Sequence, residues 1–290
     1  MDKTADGQVM NMKRRGCLHT LFVLLAAILI AAGFWYFENN VIDAGEIVFS
    51  SARLPESFDG FRVVVVSDLH GKEFGTDNTE LTAAVAAAEP DLIALTGDLC
   101  DENSDPEAAA DVAGQLATLA PTYYVSGNHE WVMEDPWGFF QMLEETGVTV
   151  LHNTYETLSV DDETIVLAGV DDPNGPWDQK TPEQLVTEIR AELGDPYILM
   201  LAHRNEQLDL WSELKVDTVL CGHGHGGIIR LPFVGGVLGQ GRQLFPEYTN
   251  GLYTEGRTNM VVSRGLGNSG LPFRLFNRPH LPVVVLESNP

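Results

Sequence analysis

The sequence predicts an α/β protein in which polar residues gather at the ends of strands. Short apolar runs alternate with helix-like segments along the chain, the pattern of sheets covered by helices. Four consecutive valines at 63–66 are typical of a strand buried on both faces. Clusters of Asp, His and Asn follow several of these runs, where open α/β sheets place their ligands.

The N-terminal region predicts a membrane anchor. An uncharged apolar run at 21–37 is extended by Cys17, Leu18 and Thr20, which is long enough for a helix to span a bilayer. The run ends in four aromatic residues at 34–37, and such residues favour the membrane interface. We therefore expect a cell-membrane protein with a single transmembrane helix at 17–37.

Charge around this helix predicts its orientation. Lys13, Arg14 and Arg15 precede it, and acidic residues follow it. Basic flanks stay in the cytoplasm, so residues 1–16 are predicted to be cytoplasmic and the domain at 38–290 extracytoplasmic.

Two alternatives to an uncleaved anchor stay open. A cleaved signal peptide usually has an apolar core of about 7–15 residues, shorter than this one, and Ala31-Ala32-Gly33 is a poor cleavage site. Arg14-Arg15 could belong to a twin-arginine export signal, although the surrounding residues match that signal poorly.

The remaining elements follow from helix and turn signals. Pro90 ends an alanine-rich segment, Gly147 follows a helix-like one, and Pro182 stands at a helix start. Helices are predicted at 76–89, 106–119, 136–146, 181–193 and near 206–214. Strands are predicted at 61–67, 92–96, 122–126, 148–151, 157–160, 164–170, 197–202, 217–221, 251–254, 260–263 and 283–286.

The charge balance restricts the class of partner. Lys and Arg total 17 against 42 Asp and Glu, giving a formal net charge of −25. This argues against nucleic acid, whose phosphate backbone needs a basic surface. It also disfavours adsorption of the domain to anionic lipid. A phosphorylated substrate remains compatible with it, because bound metal ions invert the local field.

Five motifs supply hard oxygen and nitrogen ligands, which two-metal hydrolytic sites require. They are Asp68-Leu69-His70, Gly97-Asp98, Gly127-Asn128-His129-Glu130, His203, and Gly222-His223-Gly224-His225. In extended backbone Asp68 and His70 would point the same way while Leu69 turns to the core. A carboxylate such as that of Asp98 can bridge two ions, although Asp98 could instead cap a helix.

The order of these motifs resembles the calcineurin-like metallophosphoesterase superfamily. Within it, the chain is similar to the bacterial membrane-associated branch, which includes Tat-exported and UDP-diacylglucosamine pyrophosphatase-like phosphoesterases. The resemblance covers about 45–288 and includes Gly226-Gly227, 263–267 and Asn277-Arg278-Pro279. It implies a four-layer α-β-β-α sandwich of two packed sheets flanked by helices.

The resemblance also implies a role for each motif residue. Asp98 would bridge two divalent ions, either Mn, Fe, Zn or Co. His129 would be the general acid rather than a ligand, and Asp101 would orient it. The implied metal ligands are Asp68, His70 and His225 for the first ion, and Asn128, His203 and His223 for the second.

The implied activity is two-metal hydrolysis of a phosphodiester or phosphomonoester by a metal-bridging hydroxide. The substrate would be a phosphorylated small molecule or a lipid- or envelope-linked phosphate. The alternative is a catalytically silent binding or scaffold protein, but such members lose ligands and this chain keeps them. His203 is followed by Arg204-Asn205 where the family usually has x-Pro. Arg264 and Arg274 could contact phosphate or form ion pairs, and the role of His280 stays open.

Overall fold

The computed structural model describes residues 3–239, 243–268 and 273–289, with side chains from residue 18 onward. In it, two six-stranded sheets pack face to face. The helices are α1 (Lys3–Asn40), α2 (Thr79–Ala87), α3 (Pro106–Ala117), α4 (Pro136–Glu145), α5 (Pro182–Leu193) and α6 (Leu208–Glu213). The strands are β1 (Asp43–Ser51), β2 (Phe61–Val66), β3 (Leu92–Leu95), β4 (Thr122–Tyr124), β5 (Thr149–Val150), β6 (Thr154–Val160), β7 (Glu163–Gly169), β8 (Ile198–Leu201), β9 (Thr218–Cys221), β10 (Arg230–Leu231), β11 (Gly235–Gly236), β12 (Gly251–Glu255), β13 (Thr258–Val262) and β14 (His280–Ser288).

The arrangement confirms the predicted α/β sandwich. One sheet has the order β1-β14-β2-β3-β4-β5 and the other β12-β13-β9-β8-β7-β6. On β2, Val63 and Val65 belong to the core between the sheets, while Val64 and Val66 belong to the core under α2, α3 and α4. Both faces of the strand are buried, which explains the uninterrupted valine run. A third core lies between the second sheet and α5 and α6.

Local signals position the helices. Asp105 and Asp135 accept backbone hydrogen bonds at the starts of α3 and α4, which satisfies donors that helix starts leave unpaired. Thr181 and Gln184 form a capping box at the start of α5. Because α2 begins at Thr79 after a separate 3-10 turn, the predicted helix start at residue 76 was three residues early.

Strand β1 was not predicted from the sequence. It pairs in parallel with β14, aligning Asp43 with His280 and Ser51 with Ser288. Only Phe49 along β1 is buried, so the strand lacks the continuous apolar run that identified β2. Its partner lies at the other end of the chain, beyond the reach of local signals.

Helix α1 ends inside the domain. Its segment Leu18–Asn40 is long and apolar enough to cross a membrane. Glu38 and Asn39 at its end are buried. A Glu38 carboxylate oxygen accepts a hydrogen bond from Asn277 N at 2.9 Å, and Asn39 Oδ1 accepts one from Arg274 N at 2.6 Å. The helix therefore joins the domain directly, three residues beyond its predicted end.

The C-terminal basic residues and His280 are tied into the fold. Arg274 is buried and donates hydrogen bonds to the backbone carbonyls of Gly267, Arg264 and Asn277. Arg264 forms an ion pair with Asp43 at 2.7 Å. His280 is buried, and its Nδ1 accepts a hydrogen bond from Arg264 N at 3.3 Å. These contacts are structural.

Replacing Arg274 should destabilise the protein. Arg274→Met removes the donors of three carbonyls, so we expect the free energy of unfolding to fall by about 3 kcal/mol. Arg278→Met is the control, because Arg278 is partly exposed and pairs with Asp43; it should cost less than about 1 kcal/mol. Denaturant unfolding of the detergent-solubilised protein measures both. Equal losses would contradict the structural role of Arg274.

Candidate metal centre

Five loops meet where the two sheets adjoin, and each follows a strand that ends there. Three of these strands belong to the first sheet and two to the second. The first candidate ligand after each strand is Asp68 after β2, Asp98 after β3, Asn128 after β4, His203 after β8 and His223 after β9. The structure thus brings together motifs that lie far apart in the chain, from Asp68 to His225.

The first cluster contains Asp68, His70 and His225. The Nε2 atoms of His70 and His225 are 3.1 Å apart, and Asp68 Oδ1 lies 3.4 Å from His225 Nε2. The side chains are at least 97% buried. These are the three residues expected to hold the first ion.

The second cluster contains Asp98, His203 and His223, with Asn128 beside them. His203 Nε2 lies 3.2 Å from Asn128 Oδ1 and 3.1 Å from His223 Nδ1. All four residues expected around the second ion therefore converge on one point.

Asp98 connects the two clusters. Its Oδ2 lies 3.2 Å from His203 Nε2 and 3.8 Å from His70 Nε2. Its Oδ1 accepts a hydrogen bond from His129 N at 2.9 Å. Although burial opposes ionisation, the charges of His203 and His70 lower the pKa of Asp98. An ionised carboxylate in this position is within reach of both clusters.

The side chains fit divalent metal ions. Two nitrogen ligands of a tetrahedral ion lie roughly 3.3 Å apart, given metal–nitrogen bonds of about 2.0–2.1 Å. The His70–His225 and His203–His223 nitrogen separations are both 3.1 Å. His203 Nδ1 lies 2.8 Å from the Thr96 carbonyl oxygen. A hydrogen bond there fixes the tautomer whose Nε2 is free to bind a metal.

Buried charges around the second cluster oppose one another. Burial lowers the pKa of His203, but the carboxylate of Asp98 outweighs it and raises that pKa to about 10. Burial, with the neighbouring charges of His203 and Arg204, lowers the pKa of His223 to about 3. Metal ligands must be deprotonated. A metal ion bound at this cluster would therefore replace the positive charge that a proton on His203 supplies beside Asp98.

Five of the candidate ligands have left-handed backbone conformations, which L-residues rarely adopt. This differs from the extended backbone expected for Asp68 and His70, although Leu69 between them is buried as expected. Such strain costs of order 1–3 kcal/mol per residue and clusters at functional sites. The φ angles are 53° for Asp68, 48° for His70, 52° for Asp98, 63° for His223 and 44° for His225.

Two motif glycines allow the loops to approach the ligands. A Cβ atom at Gly127 would overlap Asp98 Oδ1, and one at Gly222 would overlap Ser67 Oγ and Asp68 Oδ2. Their position before Asn128 and His223 therefore has a steric reason.

Glu130 has a role that the sequence did not reveal. It is fully buried, and its carboxylate accepts hydrogen bonds from the backbone N–H groups of Asp98, Leu99, Cys100 and Gly127 at 2.8–3.3 Å. Burial and the charge of Asp98 raise the pKa of Glu130 to about 7. Glu130 joins the Asp98 loop to the Asn128 loop, and only its place in the Gly-Asn-His-Glu motif hinted at this.

The partner expected for His129 differs in the structure. Asp101 Oδ2 lies 3.7 Å from His70 Nδ1, and Asp101 Oδ1 accepts a hydrogen bond from Ser104 Oγ. The acid beside His129 is Glu102, with Oε2 3.4 Å from Nδ1. Asp101 is turned into its own loop by Ser104, which leaves the next residue to face His129.

A cleft of about 530 Å³ lies beside the second cluster, lined in part by Asn128, His223 and Arg204. Arg204 donates two hydrogen bonds to Asp172, at 2.8 and 3.0 Å. This paired geometry holds the guanidinium at the cleft wall. Arg204 is therefore a cation next to the candidate centre.

Comparison with known proteins agrees with this geometry. The family model described as calcineurin-like phosphoesterase matches residues 61–227. The chain is 30% identical to the uncharacterised metallophosphoesterase YkuE of Bacillus subtilis (strain 168), over 96% of this chain and 99% of that protein. It is 32% identical to a transmembrane protein with metallophosphoesterase domain of Bos taurus, over 82% of this chain and 55% of that protein. It is 29% identical to phosphodiesterase YaeI of Escherichia coli (strain K12), over 78% of this chain and 82% of that protein.

The metal content of single variants should show whether Asp98 is a ligand of both ions. After loading with Mn²⁺ and desalting, the native protein should hold about two ions and Asp98→Ala close to none, because Asp98 reaches both clusters. His225→Ala should keep about one ion. The control is His152→Ala, whose ring bonds to Asp171 outside both clusters; it should keep both. Elemental analysis that finds one ion in Asp98→Ala would rule out a shared ligand.

Proposed function

Because the chain belongs to the calcineurin-like phosphoesterase family, and is thus a metal-dependent hydrolase, we propose that it hydrolyses a phosphodiester or phosphomonoester at a two-metal centre. The observation that carries this proposal is the position of Asp98 Oδ2, 3.2 Å from His203 Nε2 and 3.8 Å from His70 Nε2. A carboxylate in this position could be shared by a pair of ions about 3.5–4 Å apart. The proposed ligands are the six residues of the two clusters and Asn128 beside the second cluster.

The residues of the centre supply binding and orientation. Divalent ions provide, when bound, an activated water and positive charge opposite the phosphoryl oxygens. Asp68, His70 and His225 would hold one ion, and Asn128, His203 and His223 the other. Glu130 keeps the loops of Asp98 and Asn128 together through its four hydrogen bonds. Mixed nitrogen and oxygen ligands suit Mn, Fe, Zn or Co.

His129 is the proposed general acid. Its side chain is 26% exposed, whereas those of His70, His203 and His225 are nearly inaccessible. It therefore can reach a substrate that the buried ligands cannot reach directly. As the bond between phosphorus and the leaving oxygen breaks, protonated His129 would donate its proton to that oxygen. Glu102 is placed to orient the ring.

The cleft offers one cation to an anionic phosphoester, while Glu206 and Glu247 also line it. Arg204 supplies a cation beside Asn128 and His223, where a non-reacting phosphate oxygen could accept hydrogen bonds. The E. coli relative is named a phosphodiesterase, which supports a phosphodiester as substrate.

We also propose that α1 anchors the enzyme in the cell membrane with its catalytic domain outside. The apolar segment, the basic residues before it and a relative named as a transmembrane protein support this location. The proposed division is residues 1–16 in the cytoplasm, 17–37 in the bilayer and 38–290 outside.

His129→Ala should separate proton transfer from metal binding. We expect normal metal content and a loss of about 10²–10⁴-fold in turnover, the usual contribution of a general acid. The loss should be largest for alkyl phosphoesters and smallest for p-nitrophenyl esters, whose leaving group needs little protonation. Steady-state rates on both ester classes measure this. If the variant loses metal as Asp98→Ala does, His129 is a ligand.

Protease accessibility should report the orientation. Protease added to intact protoplasts should digest the domain, while an epitope tag before residue 1 stays protected until the cells are lysed. Protection of the domain in intact cells, with digestion of the tag, would reverse the proposed topology.

A further inference from the structure

Two loops of the domain carry several exposed apolar side chains each. One loop lies between β10 and β12 and the other just before β14. The exposed fractions of these side chains range from 37% for Phe273 to full exposure for Phe233. We define this loop surface by six residues, namely Phe233, Val234, Leu244, Phe245, Phe273 and Phe276.

The second loop packs against the helix that would span the membrane. The rings of Phe34 and Phe276 meet edge to face with centroids 5.7 Å apart. Phe34 lies six residues before the end of α1 at Asn40, which is about 9 Å along the helix axis. Phe276 therefore lies at the level of Trp35 and Tyr36, aromatic residues that favour a membrane interface.

The two loops are joined by backbone contacts. Arg230 N donates a hydrogen bond to Leu275 O at 3.1 Å, and residue 229 forms a β-bridge with Leu275. Phe233 and Val234 occupy the turn between β10 and β11. Phe245 N donates to Val237 O at 3.0 Å. The described parts of the two loops are thus linked to each other, and the second loop contacts α1 at Phe34.

The loop between β10 and β12 also lines the cleft beside the second cluster. Gln243, Pro246, Glu247 and Tyr248 line the cleft together with Asn128 and His223. The exposed Leu244 and Phe245 lie between Gln243 and Pro246 in the chain. One loop therefore contributes both to the lining of the cleft and to the exposed apolar side chains.

We propose that the loop surface inserts into the interface of the bilayer spanned by α1 and brings the cleft to a phosphoester carried by a lipid of that bilayer. The lipid surface is favoured over another occupant because the loop surface is joined to the proposed anchor through the ring contact between Phe34 and Phe276. Apolar insertion also suits a chain with a net charge of −25, which gains nothing from anionic headgroups. The choice of a lipid substrate rests on the proposed hydrolase function.

A nitroxide label can locate the loop surface independently of catalysis. Full-length Phe233→Cys protein, with Cys17→Ser and with Cys100 and Cys221 left buried, is labelled and placed in phosphatidylcholine–phosphatidylglycerol vesicles. Leu193→Cys is the control, at the exposed end of α5. Relaxation of the label at 233 should respond to oxygen more than to a water-soluble nickel complex, and the label at 193 should show the reverse. Equal water exposure, or shielding of the label at 233 from both agents by another protein surface, would overturn the assignment.

Two esters with the same leaving group can test the substrate class. We expect Phe233→Ser/Val234→Ser to lower the ratio of rates on phosphatidyl-p-nitrophenol in vesicles and on soluble bis(p-nitrophenyl) phosphate by at least about tenfold. Leu119→Ser/Leu193→Ser should leave this ratio unchanged. An unchanged ratio in the first variant would refute lipid delivery. If the native Mn²⁺-loaded enzyme hydrolysed neither ester, the hydrolase proposal would fail, while the label would still locate the loop surface.

Discussion

The buried carboxylate of Asp98 is the constraint on which the arrangement of the molecule depends. An ionised carboxylate is costly to bury alone, and here His70 and His203 approach it from either side. Asp98 follows a strand of the first sheet and His203 a strand of the second. The ion pair of Asp98 and His203 therefore links the two sheets at the centre, in addition to the apolar core between them. Glu130 fixes the backbone on either side of Asp98, so the carboxylate has little freedom to turn away.

A second set of contacts couples this centre to α1. Asn277 N donates to Glu38 near the helix end, while Asn277 Nδ2 donates to the backbone carbonyl of His225 at 2.8 Å. Lys72, two residues after His70, donates to the last turn of the helix at Asn39. Cations favour helix C-termini. The segments that carry His70 and His225 are thus both connected to the helix. This gives the centre a fixed orientation relative to the proposed membrane.

Much of the fold could be predicted because the signals were local, whereas the roles of the candidate ligands were implied by the family resemblance. The valines at 63–66 identify a strand wherever they occur, and each candidate ligand follows such a strand. The partner of His129 could not be predicted in this way, because Asp101 and Glu102 are adjacent acids and the Ser104 hydrogen bond decides which one faces away. Likewise, β1 depends on β14 at the far end of the chain. Nor could local pattern show that Asp68 and His70 adopt left-handed backbone.

The most direct measurement of the central claim is the electron paramagnetic resonance spectrum of the protein loaded with two equivalents of Mn²⁺. If the carboxylate of Asp98 is shared, the ions lie about 3.5–4 Å apart and should give the multiline spectrum of an exchange-coupled pair. Asp98→Ala should abolish that spectrum. A native spectrum with only the six lines of isolated Mn²⁺ ions would contradict a two-metal centre built around Asp98.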